Sequence, residues 1–185
     1  MGSATWSEDQ AEAASFLAVV PPEAIAEEIS ELQRSAGVDT SMPPHVTVKS
    51  QPALSDVERW RPSVADALRR QAPFELEVGG VRWFGQGIVY LAVGGAIVDL
   101  HQAVLAAVER VVDEERFEYD GDGYEAHLTF AAEFAGAAAL QLVEVAGLFA
   151  DRRYKFRVES VVEFRRHARG DIYRPVGKFT LGGDT

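Results

Sequence analysis

Residues 16–48 and 90–130 carry one pattern twice, and that repetition narrows the folds open to this chain more than any other feature. In the first stretch an apolar run, Phe16-Leu-Ala-Val-Val20, leads through a helical pattern to His45-Val-Thr-Val48. In the second, Tyr90-Leu-Ala-Val93 leads through another helical pattern to His127-Leu-Thr-Phe130. Strand, helix and His-x-Thr strand recur in the same order, which reads as an internal duplication. Two similar halves, each mixing strands and helices, predict an α+β fold with approximate two-fold symmetry. A cleft between the halves would receive one His-x-Thr from each.

The motif itself carries chemistry. Residues i and i+2 of a strand point to one face, so His45 shares a face with Thr47 and His127 with Thr129. The intervening Val46 and Leu128, with Val48 and Phe130, anchor each strand in a core. With only four histidines and six threonines in the chain, two such coincidences are not expected from composition. Two imidazoles and two hydroxyls around one space suit phosphodiester cleavage. A base must activate the attacking oxygen and an acid must protonate the leaving one. Histidine, with an ordinary pKa of about 6.5, does either at neutral pH. The hydroxyls can donate to the non-bridging phosphate oxygens as charge develops. Either histidine can be the base, and in a reversible reaction they exchange roles. This logic calls for no metal or other cofactor.

Composition excludes several alternatives. The chain has no cysteine, so disulfides, thiolate nucleophiles, iron–sulfur clusters and cysteine-based zinc sites are ruled out. The histidines lack the clustered spacing of a metal site, and no phosphate-loop or dinucleotide-type glycine pattern occurs. The net charge of −11 argues against non-specific binding of long nucleic acid. Residues 152–178 nevertheless hold nine Lys or Arg against three Asp or Glu, a local attraction for an anionic ligand. No apolar run is long enough to span a membrane and no signal-peptide pattern opens the chain, so a cytoplasmic location without membrane contact is the expectation.

Along the chain, residues 1–14 read as a flexible polar tail and 15–185 as one domain with two pseudo-symmetric lobes. Pro21-Pro22 opens a helix with Ile25, Ile29 and Leu32 on its apolar face, ended near Gly37. Ser55 and Glu58 fit a capping box for a second helix bearing Val57, Trp60, Val64 and Leu68, with Pro62 marking a kink or restart. Phe74–Val78 and Val81–Phe84 read as separate strands, the latter turning through Gly85-Gln86-Gly87 into Ile88–Val93. A long helix is expected over 97–115, with Val98, Leu105, Val108 and Val112 apolar, and a shorter one over 137–149. Asp120–Gly123 reads as a turn. Tyr154–Arg166 and Ile172–Leu181 read as two strands joined by a polar turn over 168–171.

Pro43-Pro-His-Val-Thr-Val48 and Ala126-His-Leu-Thr-Phe130 resemble the paired motifs of the two-histidine (2H) phosphoesterase superfamily. Within it, order and spacing are most similar to the 2′-5′ RNA ligase-like and 2′,3′-cyclic phosphodiesterase branch. The resemblance extends from Phe16 to Leu181, and includes Leu100-His101 and Ile172-Tyr-Arg174. It implies a bilobal fold of two antiparallel-rich sheets with flanking helices around a central cleft. It also implies metal-free catalysis by His45, Thr47, His127 and Thr129 on cyclic phosphates or 2′-5′ linkages, in a nucleotide or at an RNA end.

Other residues have two readings. Tyr173, Arg174 and Lys178 are candidates to contact phosphate or base, or they form an ordinary hairpin with a solvated face. Trp83 and Phe84 either stack on a nucleobase or join the core. His101 reads as a partner of the surface or interior rather than a catalytic group, and His167, near a turn, as an exposed residue. Two rival functions stand beside the enzyme: a non-catalytic protein that binds a nucleotide or RNA end on the same fold, and a metal-dependent hydrolase with the histidines as ligands.

Overall fold

The computed structural model describes residues 14–39, 42–50, 54, 57–85, 87–113, 118–132, 137–167 and 171–182. Residues 1–13 of the expected tail, Ser55 of the expected capping box, Gln86, residues 114 and 115 of the helix expected over 97–115 and residues 168–170 of the expected polar turn lie outside them. In chain order the elements are β1 (Ala14–Val19), α1 (Glu23–Ser35), β2 (Val46–Lys49), α2 (Val57–Arg69), β3 (Phe74–Phe84), β4 (Ile88–Gly95), α3 (Ile97–Glu109), β5 (His127–Ala132), α4 (Ala139–Phe149), β6 (Arg153–Val158), β7 (Ser160–Arg166) and β8 (Arg174–Thr180). A 3-10 turn at Gly121–Gly123 precedes β5.

The strands form two four-stranded sheets, ordered β2-β1-β7-β8 and β5-β4-β3-β6. Every pairing is antiparallel. The α+β fold expected from the repeat is therefore present. Each sheet carries its His-x-Thr strand at an edge, beside the strand that opens the repeat. Period-two alternation divides each strand between two environments. Leu17, Val19, Val46 and Val48 of one sheet and Leu76, Val89, Leu91, Leu128 and Phe130 of the other enter one core with the helices. The opposite face of the first sheet carries a small second cluster of Phe16, Ala18 and Phe164, packed by Met42, Val162 and Tyr173.

Several local expectations are corrected. Phe74–Phe84 is one strand, not two, because a bulge lets it continue. Val78 pairs with Val93 but Val81 with Leu91, leaving one extra residue, and Gly80 takes it up at φ +80°. Tyr154–Arg166 is two strands in different sheets. Tyr154, Phe156 and Val158 are buried in β6, whereas β7 buries Val161 and Glu163. The alternation changes phase across Glu159 as the chain crosses from one sheet to the other. Val98 faces solvent, because the buried stripe of α3 is Ile97, Leu100, His101, Val104, Leu105 and Val108, one position out of phase with it. α2 runs without a restart through Pro62, and its buried face holds the expected Val57, Trp60, Val64 and Leu68.

Candidate active site

His45 sits just before β2. Proline fixes its own φ and biases the residue before it to extended backbone, so Pro43-Pro44 enters the strand straight. The Pro43 carbonyl then lies 2.8 Å from His45 Nδ1. At the start of β5 the same relation recurs: His127 Nδ1 lies 2.6 Å from the Glu125 carbonyl. A carbonyl only accepts, so each Nδ1 carries the proton and donates it to residue i−2. Each Nε2 is thereby left as the atom for proton transfer.

The rings are held by aromatic neighbours. Phe16 lies 5.1 Å and Phe164 5.9 Å from His45, and Tyr173 packs edge-on against Phe16 at 5.0 Å. Phe84 and Tyr90 meet His127 edge-on at 5.0 and 5.4 Å, and stack on each other at 4.1 Å. Tyr90 donates to the Glu125 carboxylate at 2.6 Å. Burial and that carboxylate push its phenol up to about 12. Burial holds the His45 imidazole below its ordinary 6.5; the Pro43 carbonyl opposes this, and a proton on His127 adds to the lowering. The neutral form of His45, with a free lone pair on Nε2, is favoured.

His45, Thr47, His127 and Thr129 line one cavity of about 400 Å³, with Phe16, Gln33, Asp39, Met42, Phe130 and Tyr173 among its walls. A second cavity of about 490 Å³ shares Thr47 and His127 and reaches Phe84, Tyr119, Asp120, Tyr124 and Glu125. Two imidazoles and two hydroxyls thus face a common space, bordered on both sides. Tyr173 and Phe84, singled out in the sequence, each stand beside one histidine. Arg174 is exposed on β8, paired with Arg165. Lys178 is brought to neither cavity; it lines a separate one with Pro21, Pro22 and Arg157. Among the described residues, no three His, Asp or Glu side chains gather as a metal site would require.

The seam between the His-x-Thr strands holds groups that sequence reasoning did not place beside the motifs. His101 is fully buried: its Nδ1 donates to the Val48 carbonyl at 2.6 Å and its Nε2 accepts from Gly121 N–H at 2.9 Å. Tyr124 stacks on that ring at 3.8 Å and donates to the Thr47 carbonyl at 2.7 Å. Lys49 and Asp120 form a buried ion pair at 3.0 Å. Across the other side, Gln33 of α1 donates from Nε2 to the Phe130 carbonyl at 2.8 Å. The signal for Gln33 was its place four residues after Ile29, a polar side chain on an apolar stripe.

The profile of the 2′-5′ RNA ligase superfamily matches residues 21–170. Among solved structures, TT0787 of Thermus thermophilus superposes with a TM-score of 0.69 at 19% identity, covering 93% of this chain and 100% of that one. E. coli LigT complexed with NADP+ superposes with a TM-score of 0.62 at 15% identity, covering 93% and 99%. The same protein complexed with 3′-AMP gives a TM-score of 0.58 at 15% identity, covering 92% and 98%. No curated protein matches the sequence. At these identities the structural likeness speaks for the fold, and the profile match covers most of the chain. With both His-x-Thr motifs on one cavity, the chain belongs to the 2′-5′ RNA ligase superfamily, among the two-histidine phosphoesterases.

Proposed function

We propose that this protein hydrolyses 2′,3′-cyclic phosphates of nucleotides or RNA ends, or acts on 2′-5′ linkages, by metal-independent acid–base catalysis. The observation that carries this reading is the convergence of His45, Thr47, His127 and Thr129 on one cavity, each imidazole pinned through Nδ1. His45, favoured as neutral, takes a proton from water on Nε2. The water oxygen forms a bond to phosphorus while the bond to one ribose oxygen breaks. His127 gives its Nε2 proton to that leaving oxygen. Thr47 and Thr129 donate to the non-bridging oxygens, where negative charge grows. The LigT complexes with 3′-AMP and NADP+ support a nucleotide-type ligand for this fold.

The test is turnover of 2′,3′-cyclic nucleotides and 2′-5′-linked dinucleotides in excess EDTA, beside His45→Ala and His127→Ala. Turnover that both substitutions lower by about 10²- to 10⁴-fold is the expected result. Full activity in either variant refutes the two-histidine mechanism, and activity that EDTA abolishes and zinc restores refutes its independence of metal. Tight binding of nucleotides without any product would make the protein a binding module.

A further inference from the structure

The two motifs differ in what stands before the histidine. In the first, the two preceding residues are Pro43 and Pro44; in the second they are Glu125 and Ala126. In both, the carbonyl two residues back receives the Nδ1 proton, at 2.8 Å for His45 and 2.6 Å for His127. Pro43 fixes its own φ and Pro44 restricts residue 43, so the first carbonyl is aimed by the chain itself. Ala126 imposes no such restriction on residue 125, which lies before β5 and outside its ladder. The second carbonyl needs another restraint.

The Glu125 side chain supplies one. Its carboxylate accepts from the Tyr90 hydroxyl at 2.6 Å. Tyr90 is itself fixed: it is 3% exposed, pairs with Thr129 across the ladder and stacks on Phe84 at 4.1 Å. Residue 125 is thus held at two points, its carboxylate on β4 and its carbonyl on the His127 ring. A carboxylate on the wall of a cavity that receives a phosphate repels its ligand, so contact with substrate does not account for Glu125. Arg82, 3.9 Å away, offsets part of that charge.

We propose that Glu125 is a positioning residue for His127: anchored on Tyr90, its side chain aims its own main-chain carbonyl at Nδ1 and so fixes which ring nitrogen faces the cavity. A hydrogen bond at one imidazole nitrogen sets the tautomer and the orientation of the other. The proline pair and the Glu125–Tyr90 link then do one task by two means in the two halves. The inference rests on the phosphoesterase reading for the reaction served, but the tautomer is read without substrate.

The experiment is long-range proton–nitrogen NMR correlation of the imidazoles at about pH 8.5, above the ordinary histidine range. In the wild type both rings are expected to carry the proton on Nδ1. In Glu125→Ala, His127 is expected to become a mixture of tautomers while His45 stays unchanged. Glu125→Gln keeps an acceptor for Tyr90 and is expected to restore the single form. On a 2′,3′-cyclic nucleotide, Glu125→Ala and Tyr90→Phe are each expected to lower kcat about 10- to 100-fold, with KM within about twofold. The double variant is expected to lose no more than either single one, because both cut the same link. An unchanged His127 tautomer in Glu125→Ala overturns the proposal, whatever the loss of melting temperature. Additive losses in the double variant also overturn it, as does a change confined to KM, which would make Glu125 a substrate contact. Loss of the single tautomer in a protein that turns over no phosphodiester would keep the positioning role and refute the catalytic reading. Tyr90→Phe preserves the ring stack and decides by the same signals if Glu125→Ala does not fold.

Discussion

At the scale of single residues, the proposed mechanism gives each side chain of the quartet a separable task. Thr47→Val and Thr129→Val keep size and strand preference while removing one hydroxyl each. If the hydroxyls stabilise charge in the transition state, kcat falls roughly 10²-fold with KM much less changed. Steady-state kinetics on a cyclic nucleotide reads this split, and a rise in KM alone would assign the hydroxyls to ground-state binding. His45 makes a prediction in pH. Its pKa is lowered in the folded chain, so if it is the base, the acid limb of kcat/KM lies below 6.5. The same shift affects stability. As pH falls through 6.5 the unfolded chain takes up a proton that the folded ring does not accept until lower pH. The unfolded state then binds more protons, so stability is full above 6.5 and declines through that window on acidification. Chemical denaturation between pH 7 and pH 5 measures the slope, and His45→Gln is expected to flatten it.

At the scale of elements, the seam beside β2 is the informative place. Lys49 and Asp120 are both buried and paired, and the Lys49 ammonium also donates to the Ser50 carbonyl at 2.8 Å. Removing one charge strands the other: Lys49→Met is expected to cost about 3–5 kcal/mol, and adding Asp120→Leu to recover most of it. Thermal or urea denaturation of the single and double variants forms the cycle that checks this. The two-residue period made the His-x-Thr strands and their buried neighbours legible in the sequence. The stripe of Ile25 and Ile29 on α1 was legible for the same reason, through its helical period. Lys49, Asp120 and Glu163 were not, because a charge in a sequence reads as solvated unless its partner is known. Glu163 is fully buried on β7, and Arg61, 102 residues away on α2, grips both its oxygens at 2.7 to 3.0 Å. The break between β6 and β7 was missed because Tyr154–Arg166 contains no Gly or Pro to mark it. The change in alternation at Glu159 was the available signal. Phe16 is buried as part of the apolar run, but in the small second cluster, with its ring 5.1 Å from His45.

At the scale of the whole molecule, the two halves are not closed units. β7 and β8 come after the second repeat, yet they complete the first sheet: Phe16 pairs with Phe164 and Ala18 with Val162. β1 therefore depends for one of its neighbours on residues about 150 positions later. Contacts this distant in sequence slow folding and couple distant segments. Amide exchange is expected to open β1 and β7 together, as one cooperative unit. Native-state hydrogen exchange in low denaturant checks this, and separate opening of the two would mean that β1 and β2 hold without the hairpin. A chain made from one end meets this pairing as a problem of timing. At about 5–20 residues per second, roughly seven to thirty seconds separate the emergence of β1 from that of its partner. For that interval the first sheet presents an open edge at β1, and His45 lacks Phe164 and Tyr173. The second sheet, which ends at Val158, can pair its strands sooner. During vectorial synthesis the first histidine is thus exposed early and walled in last, so a product cut short before residue 160 would carry both motifs but no finished site.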